Sequence, residues 1–198
     1  MRHLMEVGVD SLKLFLDMDV SLEAIVPHKE AVLALAADRL AERAGMDYEH
    51  VKDALARRER LGSTALGRGV AMPHAMSRHC TLPAAVLVGL SNPIDFDAPD
   101  DVNADVVFAL IWPHDRPQEF LKLSATASRV LADPAILTLI RKTADPDLLR
   151  RSIYFTAQVD RGCAGDPRDR NGDAKTFSGR PSHREVAPWP VQRGANGS

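Results

Sequence analysis

Apolar residues recur at helical spacing in two consecutive segments in the first third of the chain. From His28 to Arg43 they follow i, i+3 and i+4 positions, which predicts a helix with one buried face, and Gly45 supplies a C-terminal stop. A second helix is predicted from Asp47, as its N-cap, to Arg60. Before them, residues 11–27 contain a short apolar lead-in and a strand predicted from Val20 to Pro27. His28 is expected to be a solvated residue at the start of the first helix.

The apolar pattern then changes from helical periodicity to continuous runs. The runs at Ala84–Leu90 and Ala104–Trp112 predict two buried strands, the second of which is ended by Pro113. Between them, Asn92-Pro93 predicts a turn, and Ile94–Phe96 alternates in the manner of an edge strand.

Helical spacing returns in the last part of the apolar pattern. Pro117 suits the first turn of a helix that carries Phe120, and two shorter helices are predicted at Pro134–Arg141 and Asp147–Ile153. Strands interleaved with helices indicate the α/β fold class. We therefore predict a single α/β domain over residues 11–154.

The composition shifts beyond Tyr154. Residues 160–198 hold half of the 12 glycines of the chain together with several prolines and scattered charges, and they show no apolar period. Such a segment cannot bury enough apolar surface to offset the entropy lost on ordering. Residues 155–198 are accordingly predicted to be a disordered C-terminal tail.

Composition and charge exclude several classes of partner. The formal net charge is −2, the isoelectric point is about 6.4 and 45% of the residues are hydrophobic, so the chain lacks the basic excess typical of nucleic-acid binding. No apolar window is long enough for a membrane span and the first residues do not form a signal peptide, which predicts a cytoplasmic protein without membrane insertion. Cys80 and Cys163 share no metal-ligand spacing, and His79-Cys80 has no second ligand pair, so no metal site is expected.

One segment contains most of the side chains that could take part in catalysis or bind an anion. Arg57 to His74 contains glycines, hydroxyls, arginines and, at its end, one imidazole. Imidazole can accept and return a group near pH 7, and phosphoryl transfer requires mainly positioning and hydrogen-bond donors. A glycine-rich turn followed by a purely structural histidine is the alternative. Donors could come from the loop before the histidine, at Gly62, Ser63, Thr64, Gly67 and Gly69.

The order of residues from Arg58 to His74 resembles a known signature. Arg-Glu-x-x-Gly-Ser-Thr-x-x-Gly-x-Gly-Val-Ala-x-Pro-His is similar to the active-site signature of the fructose/mannitol-type enzyme IIA domains of the bacterial phosphotransferase system, and most of all to the nitrogen-regulatory branch. The resemblance extends over about residues 11–153. It also includes Ile94-Asp95-Phe96-Asp97-Ala98, Val107–Ile111 before Pro113, and Ser128–Asp133.

The resemblance assigns expected roles. It implies a mixed β-sheet flanked by helices, with His74 as the phosphoryl acceptor supported by Arg58, Ser63 and Thr64. Glu59 would either hold Arg58 in place or orient the N–H groups of the loop. Arg57 and Arg60 are expected only to complement the negative end of their helix. No organic cofactor is required, and Mg²⁺ need not bind because Arg58 and backbone donors can meet the charge.

The sequence departs from the family at one important position. Enzyme IIA domains of this type carry a second histidine near the first, and the alignment places Phe120 there. His114, in the preceding loop, would either substitute for the missing imidazole or be an ordinary solvated residue. Ala65 and Ala75 also occupy positions where glycine is frequent in the family, which restricts the backbone near the site.

The resemblance implies a histidine phosphocarrier that accepts phosphoryl from an HPr-type carrier protein and acts as a nitrogen-regulatory enzyme IIA toward a transporter or kinase. A sugar-transport enzyme IIA that passes phosphoryl to a IIB component is the first alternative. A regulatory binding module without transfer is the second, supported by Phe120 and the tail. A metal hydrolase is the weakest, because His74, His79 and His114 lack paired carboxylates at ligand spacing.

Overall fold

The computed structural model of the chain describes residues 11–163. After a 3₁₀ turn at Ser11–Lys13, the helices are α1 (Leu14–Asp17), α2 (Lys29–Ala44), α3 (Tyr48–Arg60), α4 (Pro117–Leu131), α5 (Pro134–Lys142) and α6 (Pro146–Cys163). The strands are β1 (Asp19–Ala24), β2 (Ala65–Gly67), β3 (Val70–Ala71), β4 (His74–Ser77), β5 (Ala84–Ile94) and β6 (Ala104–Pro113). This order confirms the predicted α/β class.

The six strands form one mixed sheet in which β6 holds the central place. Their order is β1-β5-β6-β3-β2, and β4 pairs with β6 beyond the end of β3. β5 is antiparallel to β6, whereas β3 and β4 are both parallel to it, with Val70 opposite Val106 and His74 opposite Leu110. Because both pairings keep the same register, β3 and β4 follow one line that is interrupted at Pro73, which has no N–H to donate.

Side chains of the central strands alternate between two cores. On β6, Val107, Ala109 and Ile111 belong to the core that includes α2 and α3. Val106, Phe108, Leu110 and Trp112 face the opposite core, with α1, α4, α5 and α6. Burial on both faces explains why the sequence shows continuous apolar runs there instead of alternation.

Helices α2 and α3 confirm the sequence prediction closely. His28 is the N-cap of α2 and its ring accepts a hydrogen bond from the backbone N–H of Ala31, while Asp47 caps α3 by accepting from His50. Gly45 ends α2 with a φ of 63°, in the left-handed region that glycine favours.

Two strand predictions were wrong in their bounds. β5 runs without a break from Ala84 to Ile94, so Asn92-Pro93 lies inside a strand and makes no turn. The pairing of β5 with β6 shifts between Gly89 and Ile94, and this irregularity accommodates a proline that cannot donate to the ladder. β1 ends at Ala24, which leaves Ile25 79% exposed instead of placing it in the sheet.

The last helix also continues further than predicted. α6 extends from Pro146 to Cys163, well past Ile153, because Ile153 and Ala157 are both buried in the core beside α4. Residues 155–163 are therefore helical, where the sequence predicted a disordered tail. The rest of the predicted tail, residues 164–198, lies outside the described residues.

Candidate active site around His74

His74 opens β4 with its ring held by two hydrogen bonds of opposite sense. Nδ1 lies 2.9 Å from the carbonyl oxygen of Met72, and Nε2 lies 3.1 Å from Nε of Arg58. A carbonyl oxygen can only accept and a guanidinium can only donate. The neutral ring must therefore carry its hydrogen on Nδ1 and keep its lone pair on Nε2.

The position of β4 explains how Arg58 reaches the ring. Within residues 11–163, β4 pairs only with β6, so its outer side is not covered by another strand. Arg58 lies in the last turn of α3, which packs against β4, and its Nη1 donates to the carbonyl oxygen of Gly62 at 3.0 Å. The guanidinium is thus fixed at two points, whereas Arg57 and Arg60 are exposed at the end of the helix.

The surroundings of His74 favour the neutral imidazole. Burial lowers the pKa of His74 below its ordinary value of 6.5 because it disfavours the charged ring. The hydrogen bond to the Met72 carbonyl acts in the opposite direction, the charge of Arg58 adds to the lowering, and the carboxylate of Glu59 opposes it. The net effect leaves the Nε2 lone pair available at neutral pH.

This lowered pKa predicts a specific pH dependence. The ring should titrate in NMR with a midpoint below 6.5. The phosphoryl acceptance that the resemblance implies should be insensitive to pH above this midpoint and fall below it, because protonation removes the Nε2 lone pair. Phe120→Ala should raise the midpoint by admitting water to the ring, whereas Phe155→Ala, at an exposed site on α6, should not. A midpoint at or above the ordinary value would contradict the assignment.

Ser63 and Thr64 hold the loop that follows α3. The hydroxyl and backbone N–H of Thr64 both donate to the buried carboxylate of Glu59, at 2.6 and 3.2 Å. The hydroxyl of Ser63 donates to the carbonyl oxygen of Phe96. Of the two expectations for Glu59, the structure favours the one in which it orients the loop. Both hydroxyls are engaged away from His74.

Gly67 and Gly69 form a turn instead of a site for an anion. Together with Arg68 they have φ angles of 84°, 58° and 80°, which join β2 to β3 in a tight hairpin. A Cβ on Gly67 would lie 2.8 Å from the Asp100 carboxylate, and one on Gly69 would lie 2.7 Å from Arg141. Gly69 precedes His74 by five residues, or about 16 Å at the rise of an extended strand. The expectation that these two glycines supply donors to the site was therefore wrong.

Phe120 lies directly against the candidate nucleophile. Its ring centroid is 5.3 Å from that of His74, and the side chain is buried between His74 and Trp112. The backbone of His114 instead pairs with Ser77, three residues beyond His74 and about 10 Å along the strand. His114 is exposed at a hollow shared with Cys80 and Arg116, which favours the interpretation as a solvated loop residue.

Three groups that shape the site were missed from the sequence. The carbonyl oxygens of Met72 and Gly62 fix the imidazole and the guanidinium, and residue type gives no signal for a backbone acceptor. Lys29 binds the carboxylate of Glu59 at 2.6 Å. The only available signal for Lys29 was a basic residue at the first turn of a helix, where the helix dipole disfavours positive charge.

The described part of the chain gives little support for a metal site, a reactive cysteine or a membrane span. No three His, Cys, Asp or Glu residues are grouped there to hold a metal ion. Burial raises the pKa of the Cys80 thiol to about 11, so this cysteine stays protonated. No single helix between residues 11 and 163 is long and apolar enough to span a membrane; α4 and α5 would qualify only as a pair, and they are bent by 76°.

Comparison with known proteins gives consistent matches. The family described as "Phosphoenolpyruvate-dependent sugar phosphotransferase system, EIIA 2" matches residues 13–155. A nitrogen regulatory protein of Bradyrhizobium diazoefficiens is 36% identical over 132 residues, covering 64% of this chain and 86% of that protein. The crystal structure of nitrogen regulatory protein IIA-Ntr from Neisseria meningitidis superimposes with a TM-score of 0.65 at 25% identity, covering 71% and 94% of the two chains. The Escherichia coli mannitol enzyme IIA, solved in complex with phosphorylated enzyme IIB, shares the fold at 18% identity and a TM-score of 0.60, covering 69% and 94%.

Proposed function

The chain belongs to the EIIA 2 family of the phosphoenolpyruvate-dependent sugar phosphotransferase system, and we propose that His74 is its phosphoryl acceptor, with Nε2 as the nucleophile. The observation that carries this proposal is the pair of hydrogen bonds to Met72 and Arg58, which leaves the only ring lone pair on Nε2. Burial keeps the ring neutral and therefore nucleophilic.

The transfer step needs no separate base. The Nε2 lone pair attacks phosphorus as the N–P bond of a phosphohistidine on the donor breaks, and the electron pair of that bond returns to the donor imidazole. The hydrogen on Nδ1 stays in its bond to the Met72 carbonyl, which stabilises the positive charge gained by the ring. Arg58 must release Nε2 for the attack, and its guanidinium is then placed to bind the equatorial phosphoryl oxygens.

Ser63, Thr64 and Glu59 support this step indirectly in our proposal. They hold the loop whose Gly62 carbonyl fixes Arg58, as described above. The backbone N–H groups of the exposed residues in this loop are the remaining source of donors for the incoming group. In this proposal the predicted site residues Ser63 and Thr64 affect transfer by fixing the loop and do not contact the phosphoryl group.

The donor we propose is an HPr-type carrier, and the role we propose is regulatory. The nitrogen regulatory proteins among the relatives, at 33–36% identity, support this role. In the cytoplasm, where we place this protein, a phosphoryl group would add nearly two negative charges beside Arg58. The added charge would change how this surface binds a transporter or kinase. The alternative is transfer to a IIB component, and the complex of the mannitol enzyme IIA with phosphorylated enzyme IIB supports it.

A transfer assay tests the proposal. An HPr-type carrier charged with ³²P-phosphoryl should label the wild-type protein, and the label should be labile in acid and stable in alkali, as expected for phosphohistidine. ³¹P and long-range ¹H–¹⁵N NMR should place the group on Nε2 of His74. Absence of labelling at saturating carrier, or a label on another residue, would overturn the proposal. Adding a IIB component to the labelled protein then distinguishes the two downstream roles.

Phe120 should limit the rate of transfer. An apolar ring 5.3 Å from His74 cannot donate a hydrogen bond to the phosphoryl group, whereas an imidazole at that position could. We expect Phe120→His to accelerate transfer about tenfold, the value of one hydrogen bond to a charged group. Phe120→Leu, which stays apolar, should show no gain. An equal effect of both substitutions in rapid-quench measurements would contradict this role for the ring.

A further inference from the structure

Lys29, the first residue of α2, lies beneath the loop that precedes β2. Its Nζ is 2.6 Å from Oε1 of Glu59 and 2.9 Å from Oδ2 of Asp97, and it donates to the Phe96 carbonyl at 3.5 Å. It also lies 5.2 Å from the centroid of the buried Phe96 ring. The side chain is only 16% exposed. A lysine this enclosed and this fully bonded is unusual unless its charge is needed where it lies.

The Glu59 carboxylate connects Lys29 to the active site through hydrogen bonds. Its Oε2 accepts from the Thr64 hydroxyl at 2.6 Å, and its Oε1 accepts from the Thr64 N–H at 3.2 Å. The carbonyl oxygen of Thr64 accepts from the N–H of Met72 at 3.0 Å. The carbonyl oxygen of Met72 in turn accepts from Nδ1 of His74. An unbroken series of polar contacts therefore links Lys29 to the imidazole.

We propose that Lys29 is a positioning residue for phosphoryl transfer: by holding the Glu59 carboxylate against Thr64, it fixes Met72 and hence the tautomer and orientation of His74. This inference rests on the function proposed above. It adds a residue outside the Arg58–His74 signature, on a different helix. It also explains the Ile94–Ala98 motif, because Phe96 and Asp97 supply the other contacts of the ammonium.

The Glu59 contact is the important one of the two ion pairs. The Glu59 side chain is 6% exposed, whereas that of Asp97 is 76% exposed and largely screened by water. A buried carboxylate that loses its cation is left uncompensated, so it must take up a proton, draw in water or shift the loop. Burial works to lower the pKa of Lys29, but its bonds to Glu59 and Asp97 outweigh this and raise it, so the ammonium stays charged.

The test compares three lysine variants in the full-length chain. Lys29→Met should lower the rate constant for phosphoryl acceptance from an HPr-type carrier about tenfold, with the half-saturating carrier concentration changed less than about twofold, because ring geometry and not docking is affected. Lys29→Arg keeps the charge and should restore most of the rate. Lys52→Met is the matched control, because it removes a more exposed lysine, 36% against 16%, that pairs with Glu49 at the same 2.6 Å distance.

A spectroscopic measurement separates positioning from general destabilisation. Long-range ¹H–¹⁵N spectra of the wild type should show His74 only as the Nδ1–H tautomer, and Lys29→Met should show a mixture of tautomers under conditions where urea titration finds both proteins folded. Should Lys29→Met not fold, Lys29→Gln keeps a donor near Glu59 without the charge and takes its place.

The outcomes are distinct. A rate in Lys29→Met or Lys29→Gln equal to that of Lys52→Met, an unchanged His74 spectrum, or a Lys29→Arg variant as slow as Lys29→Met would overturn the inference. A wild-type protein that takes up no phosphoryl would instead overturn the proposed function, and in that case the His74 spectrum alone decides whether Lys29 sets the tautomer.

Discussion

Replacing His74 with alanine should abolish phosphoryl acceptance. The Nε2 lone pair of the imidazole can attack once Arg58 moves aside. The Ser63 and Thr64 hydroxyls instead donate to the Phe96 carbonyl and to the Glu59 carboxylate, and that carboxylate is itself paired with Lys29. The substitution removes one half-buried ring at the start of an edge strand, so the sheet should persist. Transfer of ³²P from the charged carrier, followed on a gel that preserves phosphohistidine, should fall below detection.

His79→Ala provides the matched control for this experiment. His79 follows His74 by five residues, is exposed, and its ring stacks on that of His50 with centroids 5.0 Å apart. It shares the residue type and the region of the chain but has no contact with Arg58. Wild-type labelling is expected for His79→Ala. Label that persists on His74→Ala, at any residue, would show that the nucleophile has been assigned wrongly.

The fold could be predicted where a local pattern determines the structure. α2 and α3 have one apolar face and unambiguous caps, so their bounds agree with the sequence to within a residue. β6 could be found because a strand covered on both faces must be apolar throughout. Phe120 was placed beside His74 through the resemblance, and the structure confirms that placement.

The errors occur where contacts with distant parts of the chain determine the local structure. Asn92-Pro93 favours a turn locally, but β5 continues through it because its pairing with β6, interrupted after Gly89, resumes with Ile94 opposite Ala104. Ala157, beyond Ile153, is buried because α6 packs against α1, α4 and α5. Both are tertiary effects that override a local preference, and neither can be detected from a short stretch of the sequence.

The signature at the site divides into two groups that the sequence could not separate. Arg58 and His74 contact each other, whereas Glu59, Ser63, Thr64 and the Gly67–Gly69 turn set the path of the chain between them. Hydroxyls and glycines are consistent with binding an anion and equally with building a turn, since both uses draw on the same backbone freedom. Anion binding and turn building can be distinguished only by identifying the acceptor to which each hydroxyl donates its hydrogen bond.

Arg58→Ala should have the second-largest effect, a loss of about 10²–10³ in the rate of transfer, which is typical for removal of a charged or oriented donor at a developing anion. Its guanidinium is the one cation bonded to the His74 ring within residues 11–163. The Nδ1–H bond to Met72 remains, so His74 should still be phosphorylated, but slowly. Rapid-quench measurement at saturating carrier isolates this chemical step from docking.

Two matched variants show whether charge or geometry is responsible. Arg57→Ala removes the neighbouring exposed arginine from the same helix end, and it should leave the rate within about twofold because a solvated charge contributes little. Arg58→Lys keeps the charge but cannot bond Nε2 and the Gly62 carbonyl together as the guanidinium does, so an intermediate rate is expected. If Arg58→Ala were no slower than Arg57→Ala, the phosphoryl charge would have to be met by backbone N–H groups of the loop, and the guanidinium would serve only to hold the unphosphorylated ring.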